Sequence, residues 1–310
     1  MPMVRAIRML NSIEAGIIDG PALQTLLADA GRLSEWSAMM GVRGYVQRLL
    51  ASPGSMDIVC GSPRAIGAML ANPRAASVLY GSEGLATLSP NAWGVYAPTP
   101  DAFVLGGTSG TEVTRWRNAT GLALRDMVQT TSAYCPRLND TDSPLGPLRT
   151  LQFDGTNDFL EAGETFNQPT AYTVFVVYRR GNTGLHGLFG DTVGGLGAQN
   201  ASEAVTSAGG ANVAFSTAAG AANAWALSRF RRQSASALYH GLNGGGDSTA
   251  VSTQISSFNT SGARIGSAYT QPMSYLNGRI AEVWLLAGNG DGASPEVQRI
   301  TNLLKAKYKL

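Results

Sequence analysis

A ten-residue pattern that occurs three times between residues 51 and 80 restricts the fold of this chain more than any other feature of its sequence. Each copy begins with serine or asparagine followed by proline, and the three prolines are Pro53, Pro63 and Pro73. A serine or asparagine side chain can cap the first free N–H groups of a helix, and proline at the next position already has the helical φ. Each copy therefore predicts a helix of about two turns.

Helices this short must pack on neighbours, because nucleation is costly and two turns recover little of that cost. One interpretation is a compact helical subdomain. The other is an anchor that buries its apolar residues in an oligomer or against a larger assembly, and the number of apolar residues favours it. Residues 1–88 are therefore predicted to be a helical anchor or oligomerisation region. The residues expected to carry assembly are Pro53, Pro63, Pro73, Met69, Leu70 and Leu79.

The decapeptide run resembles a repeat found in virus particles. Its Ser/Asn-Pro-x-Ala-apolar copies look like the Ser-x-Ala-Met-type helical repeats that are common in structural proteins of tailed bacteriophages. The resemblance implies a virion structural protein that lies on the virion surface and has other virion proteins as partners. It also implies a homo-oligomer, and we expect a homotrimer because trimers predominate in such appendages.

Beyond the repeats, the sequence changes to β-type patterns. Residues 89–100 are rich in proline, asparagine, glycine and threonine, a composition that predicts a linker. Residues 101–310 then carry short β-type runs at spacings typical of a sandwich. The runs are Thr150–Phe153, Tyr172–Tyr178, Leu185–Phe189, Asn212–Phe215, Trp225–Phe230, Ala235–His240, Arg264–Gly266 and Ile280–Leu286. Residues 173–177 and 283–286 are apolar on both faces and predict central strands.

Two dipeptides carry turn signals. Asp154-Gly155 and Asn277-Gly278 can supply the positive φ that a tight turn needs. We expect each pair to lie where one strand folds back on the next.

An ordered set of segments resembles the concanavalin A-like lectin/glucanase (LamG-like) family, as phage and bacterial surface proteins carry it. The segments are Val113–Asn118, Leu151–Leu160, Leu242–Gly244, Ala263–Ser267, Leu276–Val283 and a closing helix that starts at Ser294. The resemblance implies a mainly β protein with a C-terminal jelly-roll sandwich and helix over residues 101–310, preceded by the α-helical repeat region. It also implies that the closing helix lies against the sheet or its edge.

Composition argues against several classes of protein. The net charge is +2 and no basic stripe is interleaved with aromatic residues, so nucleic acid is not an expected partner. No apolar run approaches the roughly 18 residues of a membrane span, so a membrane is not expected either. The N-terminus lacks the pattern of a secretory signal, which predicts synthesis in the host cytoplasm without Sec export. Cys60 and Cys135 lie in segments of different character and are expected to be free thiols.

The sequence predicts that this protein is not an enzyme. Glycoside hydrolysis needs two carboxylates that face the scissile bond, and glucanases of the resembled fold present them on alternate residues of one strand. None of the predicted strands carries such a pair. The two histidines, His186 and His240, have no serine in an elbow motif to activate.

Binding is the remaining chemistry. Sugar recognition needs aromatic rings beside amide or carboxylate groups. The candidates that the family's layout brings together are Trp225, Tyr239, His240, Asn243, Tyr269 and Tyr275. The cofactor considered is calcium, for which the best cluster is Asp154, Asn157 and Asp158. The same three residues are also explained by a turn whose side chains bond the local backbone.

The leading hypothesis is a bacteriophage virion structural protein whose sandwich binds host surface glycans. It would be a fibre, a tail or collar appendage, or a capsid decoration. One alternative is a capsid cement or decoration protein without a ligand. A second alternative is a carbohydrate-active enzyme with unfamiliar catalytic residues.

Overall fold

A computed structural model describes residues 2–99, 101–122, 125–139, 149–162, 171–190, 194–199, 203–208, 211–218, 220–234, 237–249, 263–268, 274–288 and 293–310. The chain forms two compact units. The helical unit comprises Met1–Asn91 and Gly292–Lys309, and the β unit comprises Ala92–Asp291 and Leu310.

The helical unit consists of short helices. They are α1 (Pro2–Glu14), α2 (Gly20–Leu26), α3 (Ala30–Met40), α4 (Arg43–Leu50), α5 (Pro53–Cys60), α6 (Pro63–Ala71), α7 (Pro73–Leu79), α8 (Ser82–Leu88) and α9 (Pro295–Tyr308). None of the helices in the described part of the chain is both long and apolar enough to cross a membrane.

Each copy of the ten-residue pattern coincides with one helix. α5, α6 and α7 begin at Pro53, Pro63 and Pro73. The side chains of Ser62 and Asn72 accept hydrogen bonds from backbone N–H groups in the first turns of α6 and α7. At α6 and α7 a capping side chain and a proline together mark the helix start, whereas Ser52 before α5 makes no side-chain cap hydrogen bond and only the proline does so.

The apolar residues of the repeats pack inside the helical unit itself. Met69 and Leu79 are completely buried, whereas Leu70 is only partly buried. Helix α6 contacts α3, α5, α7 and α9, so short helices cover one another's apolar faces. The prediction that Met69 and Leu79 face an assembly partner is therefore wrong. The prolines Pro53, Pro63 and Pro73 are exposed at the helix starts.

The closing helix α9 belongs to the helical unit. It packs on α5, α6 and α8. Its Arg299 is 5% exposed and donates hydrogen bonds to Asp57 Oδ1 at 2.7 Å and to the carbonyls of Thr87 and Leu88 at 2.6 and 2.8 Å. The prediction that this helix is part of the sandwich domain of residues 101–310 is therefore wrong, because its buried arginine and apolar face find partners among the helices of the helical unit.

Both cysteines are free and buried, one in each unit. Burial raises the pKa of the Cys60 thiol to about 12. Burial also raises the pKa of the Cys135 thiol, with the nearby Asp158 carboxylate as the next cause. Neither thiol is therefore activated as a nucleophile at neutral pH.

The β unit is built from short strands. They are β1 (Ala92–Tyr96), β2 (Phe103–Gly106), β3 (Glu112–Trp116), β4 (Met127–Val128), β5 (Arg137–Asn139), β6 (Thr150–Asp154), β7 (Leu160–Ala162), β8 (Tyr172–Arg180), β9 (His186–Gly190), β10 (Gly194–Gln199), β11 (Glu203–Ala208), β12 (Ala211–Ala218), β13 (Trp225–Ser234), β14 (Ala237–Leu242), β15 (Ser248–Thr249), β16 (Arg264–Ile265), β17 (Ser267–Ala268), β18 (Ser274–Tyr275) and β19 (Asn277–Ala287).

The strands form a mainly antiparallel, sandwich-like fold. One layer has the order β15-β14-β13-β8-β19, and β1 and β6 share the second edge of β19. The other layer has the order β4-β7-β16-β9-β10-β11-β12. Strands β5 and β3 connect β6 with β4 along one end.

The two central strands expected from the sequence are confirmed. β8 lies between β13 and β19, and β19 lies between β8 and the pair β1 and β6. Every residue of 173–177 and of 283–286 is buried. A run that is apolar at every position therefore does mark a strand covered on both faces here.

The predicted linker contains a strand. Within residues 89–100, β1 pairs with β19 and buries Trp93, Val95 and Tyr96. The prediction of a linker is wrong over these residues. Prolines on both sides and a glycine inside the strand give this short apolar segment the composition that is typical of a linker.

One of the two predicted turns forms. Gly155 has φ +80 in the turn after β6, which confirms the first dipeptide. Asn277 and Gly278 instead begin β19, so the second prediction is wrong. Gly278 has φ +156, and a Cβ there would lie 2.2 Å from the carbonyl oxygen of Arg179 in β8. The glycine is needed for the close approach of two backbones rather than for a turn.

Candidate functional site

A row of side chains crosses the β unit at right angles to its strands. The register pairs Trp225 with Arg179, Arg179 with Arg279, Arg279 with Gln152, Gln152 with Arg137, and Arg137 with Glu112. We call these six residues, from β13, β8, β19, β6, β5 and β3, the cross-strand row. Five steps of about 4.8 Å give the row a length of about 24 Å.

The cross-strand row lies on the face opposite the core. The neighbouring positions on the same strands are Ala226, Tyr178, Ile280, Leu151 and Leu138, which belong to the core or pack against it. Successive side chains of a strand point to opposite faces. The row therefore faces away from the core, and its members range from buried Glu112 to exposed Arg137.

Hydrogen bonds hold the middle of the row in place. Arg279 Nε donates to Gln152 Oε1 at 2.5 Å, and Gln152 Nε2 donates to the carbonyl of Phe153 at 3.1 Å. Arg179 Nε donates to the carbonyl of Asn223 at 3.1 Å. The amide and both guanidinium groups are thus oriented by the protein itself, which lowers the entropy lost on binding a ligand.

Two recesses adjoin along the row. The smaller one, which we call the arginine recess, has a volume of about 180 Å³ and is lined by Gln152, Arg179, Gly181, Asn223, Asn277, Gly278 and Arg279. The larger one, which we call the acidic cleft, has a volume of about 860 Å³ and is lined by Thr108, Ser109, Glu112, Ser132, Ala133, Cys135, Arg137, Gln152, Asp154 and Asp158. Gln152 lines both, so the two recesses are neighbours at this side chain.

The carboxylates of the acidic cleft differ in their affinity for protons. Glu112 accepts hydrogen bonds from the hydroxyl of Ser109 at 2.6 Å and from the backbone N–H groups of Ser109 and Thr111. The Ser109 hydroxyl is the main cause that lowers the pKa of Glu112. Burial raises the pKa of Asp158 to about 6, and the neighbouring Asp154 carboxylate adds to the shift.

The predicted calcium residues come together as a turn. Asp154 Oδ1 accepts the N–H groups of Thr156 and Asn157 at 2.7 and 3.2 Å, and Asp158 Oδ2 accepts the N–H of Asp154 at 2.9 Å. Asn157 Oδ1 is buried without a hydrogen-bond partner among the described residues. Calcium takes six to eight oxygen ligands. These three residues supply too few and already use two carboxylate oxygens on the backbone, so they do not fit the ion by themselves.

The described residues contain no group of three or more His, Cys, Asp or Glu side chains that could hold a metal ion. The arrangement matches the alternative interpretation, in which the acidic residues hydrogen-bond the local backbone.

An aromatic pair, one exposed ring on one partly buried ring, lies beside the acidic cleft. The Tyr134 side chain is 41% exposed and stacks on Phe159, with 6.2 Å between the ring centroids. The guanidinium of Arg264 covers Phe159 at 4.4 Å and pairs with Glu161 at 2.8 Å. In the chain, Tyr134 lies between two cleft-lining residues. Sequence reasoning missed this pair, although an aromatic residue in a loop of small residues next to a proline could have suggested it.

His240 is a core residue, so its assignment to sugar binding is wrong. It is completely buried, and its Nε2 lies 3.0 Å from the hydroxyl of Ser228. Burial, assisted by the Arg229 charge, lowers the pKa of His240 to about 3. The imidazole therefore stays neutral and contributes to the polar part of the core.

Tyr239 and Asn243 stabilise one hairpin. Tyr239 lies on the outward face, and the guanidinium of Arg231 covers its ring at 3.9 Å. The Arg231 guanidinium also pairs with Asp247 at 2.7 Å. Asn243 has φ +50, and its Oδ1 accepts the N–H of Leu227 at 2.9 Å. Both side chains thus have structural partners.

The remaining candidates separate. Trp225 is partly buried and forms one end of the cross-strand row. Tyr275 lies in β18, which pairs with β17 and not with any strand of the row. Tyr269 lies outside the described residues. Of the predicted sugar-binding residues that the structure describes, Trp225 is the one in the cross-strand row; it lines neither recess, but it is paired with Arg179, which lines the arginine recess.

No family model matches this chain, and no curated protein matches its sequence. Among solved structures, Trypanosoma rangeli sialidase is similar over 70% of this chain and 33% of that chain, with 10% identity and a TM-score of 0.46. Domain 4 of an extracellular arabinanase from Geobacillus stearothermophilus, in complex with arabinotriose, is similar over 56% and 82% of the two chains, with 10% identity and a TM-score of 0.37.

The binding domain of botulinum neurotoxin DC, in complex with SialylT, is similar over 65% of this chain and 51% of that chain, with 11% identity and a TM-score of 0.38. The chain spans about a third of the length of the sialidase that it matches. Since all three TM-scores are below 0.5, the function has to be inferred from the chain's own residues.

Proposed function

We propose that the β unit binds an extended glycan along the cross-strand row. The observation that carries this proposal is that the arginine recess and the acidic cleft both lie along the cross-strand row and share Gln152 in their lining. The cross-strand row, about 24 Å long, is longer than one sugar ring and suits several consecutive sugars.

The side chains along the row have the chemistry that sugars require. The amide of Gln152 both donates and accepts, guanidinium groups donate, and the carboxylates of the acidic cleft accept hydrogen bonds from hydroxyl groups. Trp225 lies at one end, and Tyr134 lies beside the cleft at the other. Aromatic rings at these positions can cover the apolar face of a sugar ring while the rest of the sugar stays hydrated.

A binding measurement on the full chain tests this proposal. The protein is applied to an array of bacterial surface polysaccharides, and a positive sugar is titrated by calorimetry. We expect Trp225→Ala and Tyr134→Ala each to weaken binding about tenfold, since truncation of an aromatic anchor costs about 1–2 kcal/mol. Tyr45→Ala is the matched control, because Tyr45 is partly buried on α4 in the helical unit.

Binding that is unaffected by both aromatic variants would place the ligand elsewhere. An array without any bound sugar would leave the ligand-free alternative, a cement or decoration protein.

We further propose that this chain is a bacteriophage virion structural protein with a concanavalin A-like β unit. Two features support the proposal: the resemblance of the decapeptide run to phage repeats, and the exposure of Pro53, Pro63 and Pro73 at equally spaced helix starts. In this picture the helical unit attaches the chain to other virion proteins as a homotrimer, in a fibre, a tail or collar appendage, or a capsid decoration.

Mass and shape in solution test the assembly. Light scattering coupled to size-exclusion chromatography should give a trimer of the 32.4 kDa chain, and Pro63→Arg should reduce the trimer fraction. Pro63 is exposed and N-terminal in α6, so arginine there should leave the fold of the monomer intact. A compact monomer at all concentrations would contradict the trimer.

We propose binding without catalysis at this site. The observation that supports it is the engagement of the cleft carboxylates by the local backbone, at Glu112, Asp154 and Asp158. Incubation with any bound polysaccharide should release no reducing ends. Release that disappears in Glu112→Gln or Asp158→Asn would show instead that the protein is a carbohydrate-active enzyme.

A further inference from the structure

The positive charges along the cross-strand row are unevenly placed. Arg179 and Arg279 are direct partners across β8 and β19, and both line the arginine recess. Like charges directly opposite on adjacent strands are unfavourable. Arg137 adds a third cation two strands further along the row, at about 10 Å from Arg279 by the strand spacing. Glu112 is the one carboxylate among the six residues of the row and pairs with Arg137 at its other end, while Asp154 lies opposite Asn277, which lines the arginine recess.

We propose that the glycan is acidic, with the carboxylate of one sugar bound in the arginine recess between Arg179 and Arg279. This inference rests on the proposed function and names the class of sugar that the same site selects. The uncharged hydroxyl groups of the following sugars lie over the acidic cleft, where carboxylates accept their hydrogen bonds.

The geometry of the arginine recess fits a carboxylate. A guanidinium group presents planar N–H donors that match the two oxygens of a carboxylate, and its charge strengthens each hydrogen bond. The recess has a volume of about 180 Å³, enough for the charged part of one sugar but not for an oligosaccharide. Asn223 and Asn277 line the same recess and can bond the neighbouring hydroxyl groups.

Two of the residues that line the arginine recess are glycines. A Cβ at Gly181 would lie 2.9 Å from Asn277 Oδ1, so a larger residue there would push this amide out of place. At Gly278 a Cβ would meet the backbone of β8. Gly181 and Gly278 both line the recess, and neither adds a side chain to it.

The experiment compares acids with their neutral esters on the full chain. The probes are oligogalacturonate and hyaluronan oligosaccharides, each measured by calorimetry beside its own methyl ester, which has the same sugars without the charge. We expect at least one acid to bind about tenfold more tightly than its ester, because hydrogen bonds to charged groups are stronger than neutral ones by about that amount.

Three variants locate the preference. Arg279→Gln should reduce the affinity for the acid to that for the ester, whereas Arg279→Lys, which keeps the charge but not the paired donors, should retain part of the preference. Arg117→Gln is the matched control, because Arg117 is exposed in the β unit and lines neither recess. Arg179→Gln repeats the test at the partner arginine in case one replacement disturbs folding.

The possible failures can be told apart. Equal binding of acid and ester that Trp225→Ala weakens would overturn the carboxylate site and leave glycan binding standing. If Arg117→Gln weakened binding of the acid as much as Arg279→Gln does, the acid would be attracted by the positive charge of the protein in general. That result would overturn the carboxylate site. An absence of binding to every probe and to the polysaccharide array would overturn both the inference and the proposed function.

Discussion

Asp158 offers a direct test of the electrostatics in the acidic cleft. Its side chain is 6% exposed, and Oδ2 accepts the backbone N–H of Asp154 at 2.9 Å. Burial and the adjacent Asp154 carboxylate raise the pKa of Asp158 to about 6, although the Arg137 charge opposes the shift. Replacement by asparagine keeps the volume and a hydrogen-bond acceptor and removes the charge, so Asp158→Asn isolates the cost of ionisation.

The size and sign of the effect follow from proton linkage. In the unfolded chain an aspartate has a pKa of about 3.9, so between about pH 4 and about pH 6 the folded state binds more protons than the unfolded state. The free energy of unfolding of the wild type therefore falls as the pH rises through this window. A shift of about two pKa units corresponds to at most about 3 kcal/mol at neutral pH, and relaxation around the cleft reduces this value.

Urea denaturation of both proteins across the pH range measures the effect. At about pH 4 the two proteins should have similar stability, and at about pH 8 Asp158→Asn should be more stable by about 1–2 kcal/mol. Asp101→Asn is the control for the chemical change itself, because Asp101 is exposed and lines neither recess. A stability difference that does not change with pH, or a variant that is less stable at high pH, would refute the reasoning.

Arg299→Leu should destabilise the helical unit by about 3 kcal/mol, because a carboxylate and two carbonyls lose a buried partner. The control Arg48→Leu, at an exposed ion pair, should cost less than about 1 kcal/mol. Chemical denaturation, followed by the circular dichroism signal of the helices, measures both values. Gly266 has φ +85, and a Cβ there would lie 2.1 Å from a core phenylalanine ring, so Gly266→Ala should lower the free energy of unfolding by about 3 kcal/mol or more. Gly110 has φ +73 but no atom within 4 Å of such a Cβ, so Gly110→Ala should cost only about 1 kcal/mol. Thermal unfolding compares the two variants. Because the pKa of His240 is lowered to about 3, the unfolded state binds more protons than the folded state below about pH 6.5, and the wild type should lose stability as the pH falls. His240→Gln should lose less stability, by as much as about 4 kcal/mol near pH 3. Equal losses of unfolding free energy in the two proteins as the pH falls would contradict this.

Local signals in the sequence were sufficient for several elements. The capping residues and prolines placed the starts of α5, α6 and α7, because a cap and its helix are adjacent in the chain. Apolar residues at every position of 173–177 and 283–286 marked β8 and β19 as central strands. The Asp154-Gly155 pair marked a turn, since its side-chain and backbone preferences act within a few residues.

The same kind of signal failed where a distant partner decides the outcome. The positive φ of Gly278 reflects the backbone of β8, about a hundred residues earlier in the chain, and not a turn. Helix α9 carries a recognisable cap, but its buried Arg299 finds Asp57 on α5, which no local pattern indicates. His240 and Trp225 look alike as polar or aromatic strand residues, yet the first is in the core and the second faces outward.

The sequence by itself determined that this chain has short capped helices followed by a mainly β region, because periodicity, caps and turn residues act over a few positions. The tertiary structure alone decided the candidate site. The cross-strand row takes one residue from each of six strands, and a slip of one residue in any pairing would turn that strand's side chain into the core. Register is set by the sum of long-range pairings and by the bulge in β19, so the row exists only in the folded protein.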